Sequence, residues 1–252
     1  NKFYTIITVG GIDSVLNKPM GNKSFSMLFS LANDPYKNNM NINALTTIVN
    51  TNVVKSIENN PEPLTSASLT DISNSLTTVS TKVATNLGLD SKDDIAVNYL
   101  SKDTRNQGST KIAKVHSLVN SIINIAADVN KADGETEPNF EETFTKLAEA
   151  VESASENEVL ITSSTIETTI ESSIKDTVST ETVNKAKTVV SQIETVITNL
   201  DTQVGEDSFE EVTTSVESFQ KAVKVTAEIS VVDVDVTTIT EATVELSLIH
   251  IW

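Results

Sequence analysis

The chain has 252 residues, a formal net charge of −17 and an aromatic content of only 4%. It contains no Cys, two His (His116 and His250) and one Arg (Arg105), which excludes thiol chemistry and leaves zinc without a plausible ligand set. So few reactive side chains argue against an enzyme, and we expect no catalysis and no cofactor. Val, Ile, Leu and Ala must supply most of the core, as is typical of helical bundles.

Negative charge is concentrated in the second half of the chain. Residues 1–132 carry 12 Lys/Arg and 10 Asp/Glu, whereas residues 133–245 carry 6 Lys and 25 Asp/Glu, a net charge of −19. A surface this acidic repels nucleic acid and anionic membranes. No apolar run is long enough to predict a membrane span. We therefore expect no nucleic-acid partner, no membrane insertion and only weak, diffuse association with Ca²⁺.

The beginning of the chain predicts extended structure. Phe3–Val9 is rich in β-branched and aromatic residues and is followed by two glycines, and Ser24–Leu31 opens with alternating polar and apolar residues. Pro19 and Gly21 lie between these runs, where a turn is needed. Two strands alone are marginally stable in water. We expect residues 1–33 either to pack on helices or to belong to a preceding β domain that is truncated here.

From Ile42 onward the spacing of apolar residues changes to three or four, which predicts helices with one apolar face. Seven such stripes occupy residues 42–53, 69–87, 112–129, 140–151, 166–178, 183–200 and 209–223. Thr65, Ser66 and Ser68 are candidate N-caps of the second helix, and Gly88 suits its C-terminal end. The fold class that we predict is therefore mainly α, with a helical bundle over residues 42–229 and a small N-terminal β element.

The central positions of these stripes predict the core of the bundle. The residues concerned are Leu76, Val83, Val119, Ile122, Phe144, Ile193 and Phe219. Each lies between apolar neighbours one helical turn away on either side, so each should face the other helices.

The end of the chain changes in character twice. Val232–Val236 alternates Val with Asp, so residues 230–245 predict a short strand with Asp on its wet face, or a linker. Residues 246–252 then break the local pattern, and Leu246–Ile251 resembles the translation of a common sequencing adapter. We expect this tail to be non-native and dispensable for stability, with an ordinary edge strand as the alternative.

Two acidic segments could be metal sites on residue type alone. The segment Asp128–Glu135 is loosely similar to a calcium loop, but Ala132 and Asp133 stand where such a loop needs an oxygen ligand and a glycine. An acidic turn at a helix end is the better interpretation. Asp233 and Asp235 share one face of a predicted strand, where carboxylates are usually solvated. We therefore predict no metal site.

The remaining polar residues suggest structural roles. His116 lies one position off the apolar stripe of its helix and has no evident orienting partner, so a boundary position is favoured over a catalytic base. Asp93-Asp94 and Glu141-Glu142 match the first turn of a helix, where carboxylates interact favourably with the helix dipole. No phosphate-binding or nucleophile motif occurs.

Three short motifs resemble a segment of very large secreted bacterial surface proteins that act in adhesion. They are Gly10-Gly11-Ile12-Asp13, Asn43 to Val49, and Asn86-Leu87-Gly88-Leu89-Asp90. The chain departs from that pattern at Ala44, where Pro is usual. The resemblance implies an extracellular or cell-surface location, with neighbouring domains of a longer chain as partners. The start at Asn1, without a leader-like segment, also leads us to expect a fragment.

The sequence therefore favours a structural or spacer module of an exported adhesin-like surface protein. The alternative is a helical domain that binds a ligand or acts as a receptor. A buried cluster of three or more convergent polar groups would favour the alternative, and an apolar bundle interior would favour the spacer.

Overall fold

A computed structural model describes residues 3–10, 12–13, 18–19, 22–30, 41–58, 66–98, 108–131 and 137–203. Within these residues the fold is mainly helical, with six α-helices preceded by an antiparallel hairpin. The predicted fold class is therefore confirmed. The predicted helix over residues 209–223, the strand at 232–236 and the tail at 246–252 lie outside the described residues.

The N-terminal β element is a long hairpin. Its two long strands are β1 (Phe3–Val9) and β4 (Ser24–Ser30), which pair with Phe3 opposite Ser30 and Val9 opposite Ser24. The short strands β2 (Ile12–Asp13) and β3 (Lys18–Pro19) pair with each other between them. The two predicted strands are thus confirmed within one residue.

Strand β4 attaches the hairpin to the bundle. Met27 and Leu28 are buried, and the backbone N–H of Ser26 donates to Thr47 Oγ1 at 2.9 Å. The Asn50 side chain adds a buried hydrogen bond of 2.8 Å to Ser26 Oγ. The described strand β4 therefore packs on helix α1.

The helices follow the predicted stripes closely. They are α1 (Ala44–Glu58), α2 (Ser66–Asn86), α3 (Gly108–Val129), α4 (Phe140–Ser153), α5 (Ile166–Ser172) and α6 (Thr180–Gln203), with a 3₁₀ helix at Lys92–Ala96. Helix α1 lies against β4, α2 and α4, while α3 lies against α1, α4 and α6. Of the three candidate N-caps of α2, Ser66 and Ser68 lie inside the helix, so those two predictions are wrong, and Thr65 is outside the described residues.

The core is apolar and built almost entirely from aliphatic side chains. The predicted core residues Leu76, Val83, Val119, Ile122, Phe144 and Ile193 are all buried, and Phe219 lies outside the described residues. Phe144 also contacts Phe25 of β4 edge-to-face, at 6.1 Å between ring centroids. The hairpin and the bundle therefore share one core.

Helix α3 differs from its prediction, because it is buried nearly all round rather than on one face. Leu118, Ile123 and Ile125 lie off the predicted stripe and are as buried as the residues on it. A helix surrounded by other elements must be apolar or small on every side. His116, expected at a boundary, is only 1% exposed, so that prediction is wrong.

Helix α5 is shorter than its apolar spacing predicts. The stripe over residues 166–178 continues through Ile174, which is buried, but the helix ends at Ser172. The reason is tertiary: Asn130 Nδ2 donates to the Ser173 carbonyl at 2.9 Å, and the Lys175 N–H donates to Asn130 Oδ1 at 2.9 Å. A continued helix needs those same backbone groups for its own hydrogen bonds.

The end of α2 is stopped by glycine, as predicted. Gly88 has φ +78°, a conformation that side chains with a Cβ adopt only at a cost. The Leu89 N–H donates to the Ala84 carbonyl at 2.8 Å, and the Gly88 N–H to the Thr85 carbonyl at 3.0 Å. These two bonds form a Schellman motif, which satisfies carbonyls that the helix end leaves open.

Candidate functional site

The acidic segment at the end of α3 does not form a metal site in the part that is described. Asp128 is 7% exposed and forms an ion pair with Lys131, which neutralises the carboxylate that a cation would need. Asp133, Asp233 and Asp235 lie outside the described residues. Across residues 3–203, apart from the undescribed gaps, no three His, Cys, Asp or Glu side chains come together.

The paired carboxylates lie at helix starts, as predicted. Ser91 Oγ accepts from the Asp93 N–H at 3.1 Å, and Asp94 Oδ2 accepts from the Ser91 N–H at 3.0 Å, which together form a capping box. Burial raises the pKa of Asp94 above its ordinary value. Glu141 and Glu142 occupy the first turn of α4. These groups stabilise helix ends.

His116 is almost fully buried within the bundle. Burial lowers its pKa to about 3, so the imidazole is neutral at pH 7. Because a general base works best with a pKa near the operating pH, this shift is in the wrong direction for catalysis at neutral pH. The sequence reasoning placed His116 at a boundary, and the structure places it in the interior of α3.

Three asparagine side chains, one half-buried and two fully buried, connect separate elements, a role that their residue type alone did not indicate. Asn43 precedes α1, and its Oδ1 accepts from the backbone N–H groups of Leu45 and Thr46 at 2.8 and 3.1 Å. Its Nδ2 donates to the Ile95 carbonyl at 2.8 Å. Asn43 therefore caps α1 and ties it to the 3₁₀ helix.

Asn86, the last residue of α2, also connects two segments of the chain. Its Nδ2 donates to the carbonyl oxygens of Ser155 and Glu158 at 2.7 and 2.5 Å. The backbone carbonyl of Asn86 accepts from the Leu160 N–H at 2.8 Å. The irregular segment between α4 and α5 is therefore held against α2 by one fully buried residue.

Asn130 joins three elements just beyond α3. In addition to its bonds with Ser173 and Lys175, its Nδ2 donates to Thr143 Oγ1 on α4 at 2.9 Å. The residue is 0% exposed, so each of these hydrogen bonds replaces a contact with water that the folded state cannot offer. We refer to Asn43, Asn86 and Asn130 as the three clamp asparagines.

Salt bridges between elements lie nearer the surface. Lys55 on α1 and Glu149 on α4 pair at 2.5 Å, and this hydrogen bond lowers the pKa of Glu149. Lys187 on α6 pairs with Glu171 on α5. Both carboxylates are well exposed, so each pair contributes about 1 kcal/mol or less.

One groove offers space for a ligand. Its volume is about 370 Å³, and it lies where the end of α2, the first half of α3 and the segment before α5 meet. The apolar lining consists of Leu87, Val115, Leu118, Val159 and Ile161. Lys111 and Lys114 add positive charge, and Lys111 also pairs with Asp90 at 2.5 Å.

Comparison with protein-family models, with curated proteins and with solved structures finds no match to this chain. Among the helices in the described residues, none is both long and apolar enough to cross a membrane.

Proposed function

We propose that this chain is a structural or spacer module of an exported bacterial adhesin-like surface protein, without catalysis. The observation that carries the proposal is that the clamp asparagines hold segments of the bundle to one another. The amide nitrogen of each donates to a backbone carbonyl of another segment. Polar interior groups of this kind hold a fold in one arrangement.

The makeup of the interior supports the same proposal. The apolar cluster around α3 consists mostly of aliphatic side chains. Asp93 and Asp94 lie in the first turn of the 3₁₀ helix, and Asp128 forms an ion pair with Lys131. A buried cluster of three or more convergent polar groups is expected to favour a binding module. The described interior contains two such clusters, Ser26 with Thr47 and Asn50, and Asn130 with Thr143 and Ser173. Their hydrogen bonds join the members of each cluster to one another and to nearby backbone groups. Each clamp asparagine lies in a different part of the bundle, at the start of α1, the end of α2 and the end of α3.

The surface location rests on the resemblance of the three short motifs and on the acidic composition of residues 133–245. An antibody raised against the folded chain tests it. The antibody should label intact cells of the organism that makes the protein. Labelling that requires permeabilised cells would contradict the proposed location.

The groove favours the alternative, a helical ligand-binding domain. Its aliphatic lining and its two lysines suit a small ligand with an apolar body and an anionic head. Since Lys111 is already paired with Asp90, such a ligand would have to compete with a carboxylate of the protein itself. For that reason we rank the spacer above the ligand-binding domain.

Thermal unfolding with sodium decanoate as the probe separates the two functions. The spacer proposal predicts no saturable rise in the melting temperature of the full chain. A saturable rise that is lost in Lys114→Glu but kept in Lys185→Glu, a matched charge reversal on α6, would favour the ligand-binding domain, because ligand binding to the folded state raises stability.

A further inference from the structure

The two edges of the hairpin differ in how they are covered. On β4, the N–H of Ser26 is directed at Thr47 of α1 rather than at β1. Ile7 is the residue opposite Ser26, so these two form a non-hydrogen-bonded pair. In such a pair the backbone groups of both residues point away from each other. Helix α1 therefore covers the edge of β4, and the N–H and C=O of Ile7 face the outer edge of β1.

Strand β1 carries exposed apolar side chains. Tyr4, Ile7 and Val9 are 41%, 61% and 74% exposed, and they are the large apolar side chains that the described residues leave open to solvent. No strand in the described parts pairs with the outer edge of β1. Phe3–Val9 also contains no charged residue and no proline, the features with which proteins usually protect an open edge.

We propose that β1 pairs antiparallel with β1 of a second copy of this chain, around a two-fold axis at Ile6. Outward backbone groups alternate along the strand, so Phe3, Thr5, Ile7 and Val9 present theirs to the partner. With the axis at Ile6, Thr5 lies opposite the partner's Ile7, and Phe3 lies opposite the partner's Val9. Every outward donor and acceptor of β1 then meets a counterpart, and the two hairpins form a four-stranded sheet.

The side chains suit this register as well as the backbone does. On one face, aromatic and β-branched residues meet across the pair as Phe3 with Val9 and Thr5 with Ile7. On the other face, Tyr4 meets Thr8 and Ile6 meets Ile6. Cross-strand pairs of these types stabilise sheets. Each copy carries a net charge of −17, but an uncharged strand brings no like charges into the contact itself.

The size of the edge sets the expected strength. Seven residues at about 3.4 Å each give an edge about 24 Å long. An interface of this size falls in the small class, below about 1,200 Å², which is typical of weak association. Electrostatic repulsion between two acidic chains weakens it further and is screened by salt. The dimer should therefore form at high protein concentration and strengthen with NaCl. This pairing is independent of the proposed function.

Sedimentation equilibrium of the full chain tests the proposal, with protein from about 10 µM to about 1 mM at low and at raised NaCl. Wild-type protein should show a monomer–dimer equilibrium. Ile7→Lys places a charge in the middle of the edge, and Ile7→Pro removes an outward N–H that β4 does not use. Each substitution should raise the dissociation constant at least about tenfold. Thr78→Lys on α2 makes the same charge change as Ile7→Lys and should leave it unaltered.

Circular dichroism accompanies these runs and should show the same helical spectrum for all four proteins, since the bundle does not depend on Ile7. A wild-type chain that stays monomeric over the whole range would overturn the proposal and would leave the edge to a strand from a different protein. A dimer that all three variants form equally well would also overturn it, because its interface would then lie elsewhere.

Discussion

Asn130 and Lys175 are 45 residues apart in the chain, yet the Lys175 N–H donates to Asn130 Oδ1 at 2.9 Å in the interior of the bundle. Together with the bonds from Asn130 to Ser173 and Thr143, this contact fixes where α5 ends and how the chain turns toward α6. One buried amide group thus determines where α5 ends, which the apolar spacing of residues 166–178 does not predict.

Asn130→Ala should lower the free energy of unfolding by about 2–4 kcal/mol, because it leaves buried partners without hydrogen bonds. Urea unfolding followed by circular dichroism measures the loss. Asn184→Ala, an exposed position on α6, is the matched control and should change stability by less than about 0.5 kcal/mol. Equal effects of the two substitutions would contradict the role of Asn130 as a clamp.

Ile122→Ala should lower the free energy of unfolding by about 2–5 kcal/mol, because Ile122 is fully buried in α3 and its truncation leaves a cavity. Thr78→Ala on the exposed side of α2 serves as the control. The same urea titration measures both proteins. Stability unchanged by Ile122→Ala would mean that α3 is not the centre of the core.

His116 predicts a specific dependence of stability on pH. Its pKa in the folded protein is about 3, below the ordinary value of 6.5, so the unfolded chain takes up the proton first as the pH falls. Its contribution to stability is therefore fully present above about pH 6.5 and is lost progressively toward pH 3. Between pH 7 and pH 5.5 the loss from this residue should be about 1 kcal/mol.

The comparison with His116→Leu isolates that loss. Wild type should lose about 1 kcal/mol more than the variant between pH 7 and pH 5.5, since His250 and the carboxylates are common to both. Urea unfolding at the two pH values supplies the four free energies. Parallel losses in the two proteins would show that His116 becomes protonated in the folded state.

Gly88→Ala should lower the free energy of unfolding by about 1–2 kcal/mol, because φ +78° strains a residue with a Cβ. Gly88→Asn should cost less, since Asn tolerates this conformation better. The added Cβ of Ala would lie 3.4 Å from Val159 Cγ1, an ordinary contact, so the cost is conformational rather than steric crowding. Equal stability of wild type and Gly88→Ala would contradict this account.

The fold class could be predicted from the sequence because the spacing of apolar residues is enough to predict the helices. Val83, Val119 and Ile193 lie centrally on their stripes and are buried. A residue with apolar neighbours on both adjacent turns of a helix faces the core with them. The sequence of α3 also indicates that this helix is buried on all sides. Leu118, Ile123 and Ile125 lie off the stripe and are apolar, which is the signal that a one-sided interpretation overlooked.

The clamp asparagines could not be found in the same way. Asn is frequent in this chain and usually caps a helix or lies at the surface, so its residue type does not distinguish Asn130 from Asn184. What distinguishes them is the position of backbone groups many residues away, such as the Ser173 carbonyl. Only the tertiary arrangement brings these groups together, and it also overrides the helical spacing that continues to Val178.

The central claim is that the acidic and polar groups of this chain serve its own fold and its solvation rather than a ligand. Calorimetric titration with Ca²⁺ tests this claim most directly. The account predicts no saturable event in the micromolar range, because carboxylates spread along helices do not bring six or more oxygens to one ion. It also predicts weak heats that fade as NaCl is raised, while NaCl itself stabilises the fold by screening repulsion. A stoichiometric micromolar site that survives high salt would contradict the account and would point to Asp128, Asp133, Asp233 and Asp235.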